Sequence, residues 1–124
     1  MNTAAARLAR SVTAIRRATD AAGNRIRVSE VEVLLHIAAG IDDTEHLSEE
    51  TGLSRYRVGE AARFLMGGTS QITVNGRQMT RCSPLRLVER RRHPHQRGYQ
   101  FRLTDEGRAV FSSIPFPLIQ DWSV

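Results

Sequence analysis

The segment from Glu45 to Met66 places a glycine between two short helical stretches, and this arrangement constrains the fold more than any other feature. Thr44 can cap the first stretch, which ends at Gly52. Glycine permits the left-handed backbone that lets two helices meet at a steep angle. Ser54 can cap the second stretch, whose inward stripe is Val58, Ala62 and Leu65. The segment therefore predicts two helices joined by a tight turn.

The opposite face of the second helix is polar and basic. At 100° per residue, Tyr56 lies in the middle of this face and Arg55 and Arg57 lie on its two flanks. A solvated helix face is usually polar as well, but one tyrosine and three arginines directly after such a turn favour a helix that reads DNA. The predicted DNA contacts of this helix are Ser54, Arg55, Tyr56, Arg57, Gly59, Glu60 and Arg63.

Two predicted hairpins follow this helix. The first covers Ser70 to Arg81 and turns at Asn75-Gly76, a pair that favours a type I′ turn. The second, which we call the wing, rises from Leu85 to Arg91, passes through a loop ending at Gly98, and returns to Leu103. In its returning strand, polar and apolar residues alternate. This pattern predicts that Tyr99, Phe101 and Leu103 point inward, and that Gln100 and Arg102 point outward.

The positive charge is concentrated in the second half of the chain. From Ala61 to Thr104 there are nine arginines and one acid, whereas Val28 to Ser54 holds seven acids and no arginine. We expect the acidic segment to face away from a polyanion and the basic one to face it. The predicted wing contacts to phosphates or to the minor groove are Arg90, Arg91, Arg92 and Arg97. In the first hairpin, Arg77 and Arg81 either extend these contacts or belong to a structural flap.

Composition limits the other possibilities. The 124 residues suit one domain, and the net charge of +5, carried by eighteen arginines without lysine, favours a polyanionic partner. No apolar run reaches the roughly 20 residues of a membrane span, so the expected location is the cytoplasm. The single Cys82 implies no disulfide, and His93 and His95 form at best half of a metal site. No catalytic arrangement is present, so we expect no enzyme activity and neither a cofactor nor a metal.

The two ends of the chain have separate predicted roles. Residues 1–24 are predicted to form a helix, 25–113 the main domain and 114–124 an apolar tail. The first helix has a seam of Ala5, Leu8, Val12, Ile15, Thr19 and Ala22 that packs either on the domain or on a second copy. Within the domain, Ser29 is predicted to cap a helix through a capping box with Glu32, and Thr104 to cap a last helix reaching about Ser113. The predicted dimer contacts are Leu8, Val12, Ile15, Phe116 and Trp122.

Three short motifs resemble the MarR-type winged-helix transcriptional regulators. They are the run from Leu47 to Ser54 followed by Val58 and Leu65, the run from Leu87 to Arg91, and the step from Leu103 to Gly107. The resemblance covers about residues 28–111 and implies that the last step leaves the wing and begins a helix leading to a dimer interface. The chain departs from the family by an extra hairpin between Gly67 and Pro84, by His95 where the family's wing tip tends to have an aspartate, and by a short, proline-broken C-terminal part.

These observations predict a mainly helical α+β fold, a winged helix-turn-helix with an N-terminal helix, a two-stranded wing and an extra β-hairpin. The predicted function is sequence-specific binding of double-stranded DNA by a homodimer that regulates transcription. Two alternatives stay open, a replication or recombination accessory protein of a phage or plasmid, and a winged-helix module that binds another protein. Whether a small-molecule effector is sensed is left open as well.

Overall fold

The computed structural model of the chain describes residues 3–21, 25–82 and 85–111, which form a small α+β fold. In chain order its elements are α1 (Thr3–Ala21), α2 (Val28–Ala38), α3 (Thr44–Thr51), α4 (Arg55–Leu65), β1 (Thr69–Val74), β2 (Arg77–Cys82), β3 (Val88–Arg92), β4 (Tyr99–Leu103) and α5 (Asp105–Val110). The strands form two antiparallel two-stranded sheets, β1–β2 and β3–β4.

One hydrophobic core joins all five helices to the β3–β4 sheet. Helix α4 is central to it, because it packs against α2, α3 and β1. Among the largest fully buried side chains are Phe64 from α4, Phe101 from β4 and Phe111 after α5. Removal of such rings from water stabilises the fold by about 25 cal/mol per Å² of apolar surface. Helix α4 is thus fixed on one side by the core and leaves its other side to solvent.

The turn between α3 and α4 agrees with the prediction at its two most specific positions. Gly52 has the left-handed φ of 75°, and its N–H donates to the carbonyl of Ser48. The Ser54 hydroxyl accepts a hydrogen bond of 3.2 Å from the N–H of Arg57 and so caps α4. The cap of α3 differs from the prediction, since Asp43 rather than Thr44 accepts from the N–H of His46. A carboxylate one residue earlier reaches the free amides of the first turn equally well.

The start of α2 also differs from the prediction. Helix α2 begins at Val28, so Ser29 lies within the first turn and does not cap it. The carboxylate of Glu30 accepts a hydrogen bond of 2.7 Å from the N–H of Arg27. Glu30 therefore performs the role that the sequence assigned to Glu32.

The first predicted hairpin is confirmed. Strands β1 and β2 pair from Thr69 with Cys82 to Val74 with Arg77. Asn75 and Gly76 have φ values of 52° and 76°, as a type I′ turn requires at both central positions. The hairpin follows α4 directly and contacts it through β1.

The second sheet is confirmed in outline and corrected in two details. Strand β3 begins at Val88, three residues later than predicted, and pairs with β4 from Val88–Leu103 to Arg92–Tyr99. Gln100, predicted to point outward, is fully buried. Asp43 forms an isolated bridge with Gln100 and so covers the outer edge of β4. The Gln100 amide oxygen accepts a hydrogen bond of 2.8 Å from Nε of Arg91, which meets part of the cost of burying this polar group.

Leu87 lies at a junction between three elements. Its N–H donates to the carbonyl of Leu65 at the end of α4 over 2.8 Å, and its carbonyl accepts from the N–H of Thr104 over 3.0 Å. The Thr104 hydroxyl caps α5 as predicted, accepting from the N–H of Gly107. The helix ends at Val110, earlier than the predicted Ser113. A Cβ atom on Gly107 would lie 2.1 Å from the Leu87 carbonyl oxygen, so only glycine fits there.

Helix α1 packs on the domain through Ile15 and Thr19 of the predicted seam, whereas Leu8 and Val12 of that seam are exposed. Its buried residues are Ser11, Ile15 and Thr19, at intervals of four. Two of these are polar, but Ser11 donates to the carbonyl of Arg7 and Thr19 to that of Ile15, over 2.9 Å and 3.1 Å. Hydroxyl groups bonded to their own helix in this way can be buried at low cost. Ile15 is therefore a core residue of the domain and not a dimer contact.

Candidate nucleic-acid interface

The solvent side of α4 carries the residues that the sequence predicted to face DNA. Tyr56 is 75% exposed, and Arg55, Arg57 and Arg63 are exposed as well. Glu60 is half-buried and lies 3.8 Å from the Arg63 guanidinium. Gly59 is half-buried, and a Cβ atom there would meet nothing within 4 Å. The fold itself therefore does not require glycine at this position.

Two of the wing arginines are oriented by contacts within the β3–β4 sheet. The Arg90 guanidinium lies over the ring of Tyr99, 4.0 Å from its centroid. Arg91 is exposed but held by Gln100 through the hydrogen bond already described. Arg92, at the end of β3, and Arg97, in the loop before β4, are exposed. The sheet thus presents basic groups along β3 and at its tip.

The wing tip lies beside the N-terminal end of α4. An open cleft of about 220 Å³ is lined by Thr44, Glu45, Arg55, Gln96 and Arg97. The N–H of Tyr99 donates to the Thr44 hydroxyl over 3.3 Å, which ties the base of the loop to the start of α3. Arg55 also forms an ion pair of 3.3 Å with Glu45. This wing-side cleft brings Arg97 and Arg55 to one surface.

A second cleft, on the other flank of α4, involves residues that the sequence did not predict. It has a volume of about 270 Å³ and is lined by Arg27, Ser29, Glu30, Tyr56, Arg57, Glu60 and Ala61. Arg27 and Ser29 belong to the start of α2, at the edge of the segment that its acids predicted to face away from a polyanion. No sequence pattern near Arg27 and Ser29 predicts their place in the cleft, because the first turn of α2 comes close to α4 only in the folded protein.

Arg81 does not lie where a phosphate contact would need it. Its side chain is 11% exposed and forms an ion pair of 2.5 Å with Glu30, which is itself 4% exposed. The guanidinium also lies over the ring of Phe64, 3.8 Å from the centroid. Arg81 therefore attaches the β1–β2 hairpin to α2 and α4. In this position its side chain does not suit the predicted contact with DNA. Arg77, at the start of β2, is exposed, so a contact between Arg77 and DNA stays a prediction.

The remaining dimer candidates divide into two groups. On α1, Leu8 is 54% and Val12 is 37% exposed, so both are accessible on a single copy of the chain. Phe116 and Trp122 lie outside the described residues. Only the two residues of α1 can therefore be placed on a surface.

Asp43 and His46 form a hydrogen-bonded pair of titrating groups near the wing. The carboxylate accepts from the backbone N–H of His46 over 2.8 Å and lies 2.5 Å from its Nδ1. Burial alone raises the pKa of Asp43, but these hydrogen bonds and the charges of His46 and His93 outweigh it and lower that pKa below 3.8. The hydrogen bond to Asp43, and then its charge, raise the pKa of His46 above 6.5.

In residues 3–21, 25–82 and 85–111, no helix is both long and apolar enough to cross a membrane. Searches of the chain against protein-family models, curated proteins and solved structures find no match.

Proposed function

We propose that this protein binds double-stranded DNA as a winged helix-turn-helix transcriptional regulator of the MarR type. In this proposal α4 enters the major groove and the wing, β3–β4 with its loop, lies along the phosphates or the adjacent minor groove. The observation that carries the proposal is the wing-side cleft, because it brings Arg97 of the wing and Arg55 of α4 to one surface. A groove-reading helix and a backbone-binding hairpin must meet in this way to contact one duplex.

The exposed residues of α4 have distinct roles in the proposal. Arg63 can bond O6 and N7 of a guanine, which is worth roughly 1–3 kcal/mol of discrimination against other bases. Glu60 can accept from a cytosine amine, and Tyr56 can contact a base edge or a phosphate. In the unbound protein Glu60 lies near Arg63, so each side chain must turn from the other to reach a base. These are the residues that carry sequence information.

The wing arginines contribute affinity rather than sequence choice. Arg92 and Arg97 are exposed guanidinium groups, which bond phosphate through two parallel donors. Arg90 and Arg91 are held by Tyr99 and Gln100, so less side-chain freedom is lost when they bind. Phosphate contacts of this kind set the register of the protein on the duplex.

The proposed active form is a homodimer in the cytoplasm. Two copies would place their α4 helices about 34–36 Å apart on successive major grooves, and the binding site would be palindromic. The exposed Leu8 and Val12 of α1 are the described residues offered for this contact.

The proposal is tested by selecting duplexes from a random library with the purified protein and measuring affinities for the enriched site and for random DNA. Arg63→Ala should weaken the enriched site by about 5- to 150-fold and random DNA much less, because a base contact of 1–3 kcal/mol is lost. Arg97→Ala should weaken both DNAs to a similar degree.

Arg10→Ala is the matched control, since Arg10 is exposed on α1 and lines neither cleft. It should change neither affinity beyond the small effect of one distant charge. Failure of the wild-type protein to bind any duplex at low salt would refute the proposal.

A further inference from the structure

We infer that the cleft between the first turn of α2 and α4 binds one phosphate of the DNA backbone, held by Arg27 and Arg57. The inference rests on the proposed function and adds a second backbone contact on the flank of α4 away from the wing. Ser29 and Tyr56 line the same cleft, and their hydroxyl groups can donate to the phosphate oxygens.

The charges around this cleft leave two arginines without an acidic partner. Glu30 and Glu60 also line it, but Glu30 is paired with Arg81 at 2.5 Å and Glu60 lies 3.8 Å from Arg63. Neither Arg81 nor Arg63 is part of the lining. Within the described ranges no ion pair involves Arg27 or Arg57. The lining itself holds two arginines and two glutamates. When Arg81 and Arg63 are counted with the glutamates that they pair with, this region carries two positive charges in excess, which suits an anion.

The position of Arg57 on α4 shows why a backbone strand would pass there. Arg55 and Arg57 are two positions apart, which is about 200° around the helix, so they lie on opposite flanks. Arg55 lines the wing-side cleft and Arg57 lines the α2-side cleft. Tyr56 and Arg63 fall between these flanks. A helix seated in the major groove has a phosphate backbone on each side, so each cleft faces one strand.

The source of the phosphate is DNA rather than a free nucleotide or phosphate ion. The cleft is open to solvent, and its rim includes Tyr56, which is 75% exposed and belongs to the face proposed to read bases. A ligand in the cleft therefore lies beside the proposed groove-reading face. A phosphodiester in a continuous strand satisfies this arrangement because its neighbours extend past the rim on both sides.

The test is the salt dependence of binding to the site selected from the random library, measured for wild type, Arg27→Ala and Arg10→Ala. Each phosphate contact contributes about −0.9 to the slope of log K against log salt concentration. Arg27→Ala should make that slope less negative by about 0.9. If the plots for wild type and Arg27→Ala meet at 1 M salt, this change in slope corresponds to about eightfold weaker binding by the variant at 0.1 M salt. Stability should be unchanged, because Arg27 bonds to Glu30 through its backbone N–H, which alanine retains.

The outcomes separate this inference from the proposed function. If Arg27→Ala behaves like Arg10→Ala while Arg97→Ala weakens binding, the inference is wrong and the proposed function stands. If the wild-type protein binds no duplex, the proposed function fails first.

Titration of the protein with inorganic phosphate tests the source of the anion. Binding of the ion alone at micromolar concentration, lost in Arg27→Ala, would show a site for a free anion and overturn the assignment to DNA. Replacing a single backbone phosphate by a neutral methylphosphonate should reproduce the effect of Arg27→Ala.

Discussion

The buried ion pair between Glu30 and Arg81 joins the β1–β2 hairpin to α2. Both side chains are nearly excluded from water, so removing one leaves the other buried without its counter-charge. Arg81→Met should lower the free energy of unfolding by about 3–5 kcal/mol. The double variant Glu30→Met with Arg81→Met should lose clearly less than the two single losses added together. Chemical denaturation measures all four proteins, and a loss under about 0.5 kcal/mol for Arg81→Met would show that the pair is not needed.

The Asp43–His46 pair should make the stability of the fold depend on pH. The pKa of His46 is raised in the folded protein, so its stabilising effect is complete below 6.5 and is lost as pH rises through the folded pKa. The pKa of Asp43 is lowered, so its effect is complete above 3.8 and is lost as pH falls through the folded value. His46→Ala should therefore remove part of the decrease in unfolding free energy that occurs as pH rises above 6.5. Denaturation midpoints across pH test this, and parallel curves for the two proteins would contradict it.

At the scale of the element, the cap of α4 connects stability with the proposed DNA contact. Ser54→Ala removes the acceptor for the N–H of Arg57 and should cost about 1 kcal/mol in unfolding free energy. Ser54→Asp keeps a capping acceptor, so it should preserve stability. Its negative charge at the end of α4 should nevertheless weaken DNA binding, since phosphates approach there in the proposal. Equal DNA affinity for wild type and Ser54→Asp would exclude a nearby phosphate.

Elements were predictable from the sequence where a local signal determines the backbone. Gly52, Ser54 and the Asn75-Gly76 pair act through hydrogen bonds or φ values within a few residues, and the structure agrees at each. The ion pair of Glu30 with Arg81 joins residues 51 positions apart. The burial of Gln100 and the shared cleft of Arg27 and Arg57 likewise depend on which elements pack together. Neither the alternation of residues nor the count of charges along the chain shows which elements will pack together.

In the proposed dimer, two copies of the chain meet through α1. Leu8 and Val12 are exposed on one copy, so the double variant Leu8→Glu with Val12→Glu should keep its circular dichroism spectrum. It should sediment as a monomer at concentrations where the wild type is dimeric, because two buried charges at an interface are costly. Arg17→Glu, on an exposed position of the same helix, is the control and should leave the dimer intact. A wild-type protein that is monomeric at tens of micromolar would remove α1 from the proposed interface.

The contact between Gly107 and the carbonyl of Leu87 has a consequence for how this protein tolerates mutation. Gly107 is buried and is not one of the candidate DNA residues, yet any side chain there would collide with the backbone that also bonds to the end of α4. In a saturation screen for DNA binding, position 107 should therefore accept almost no substitution. Exposed contact residues such as Arg92 should accept several substitutions. The position least tolerant of substitution in such a screen would therefore mark a packing contact and not the DNA surface.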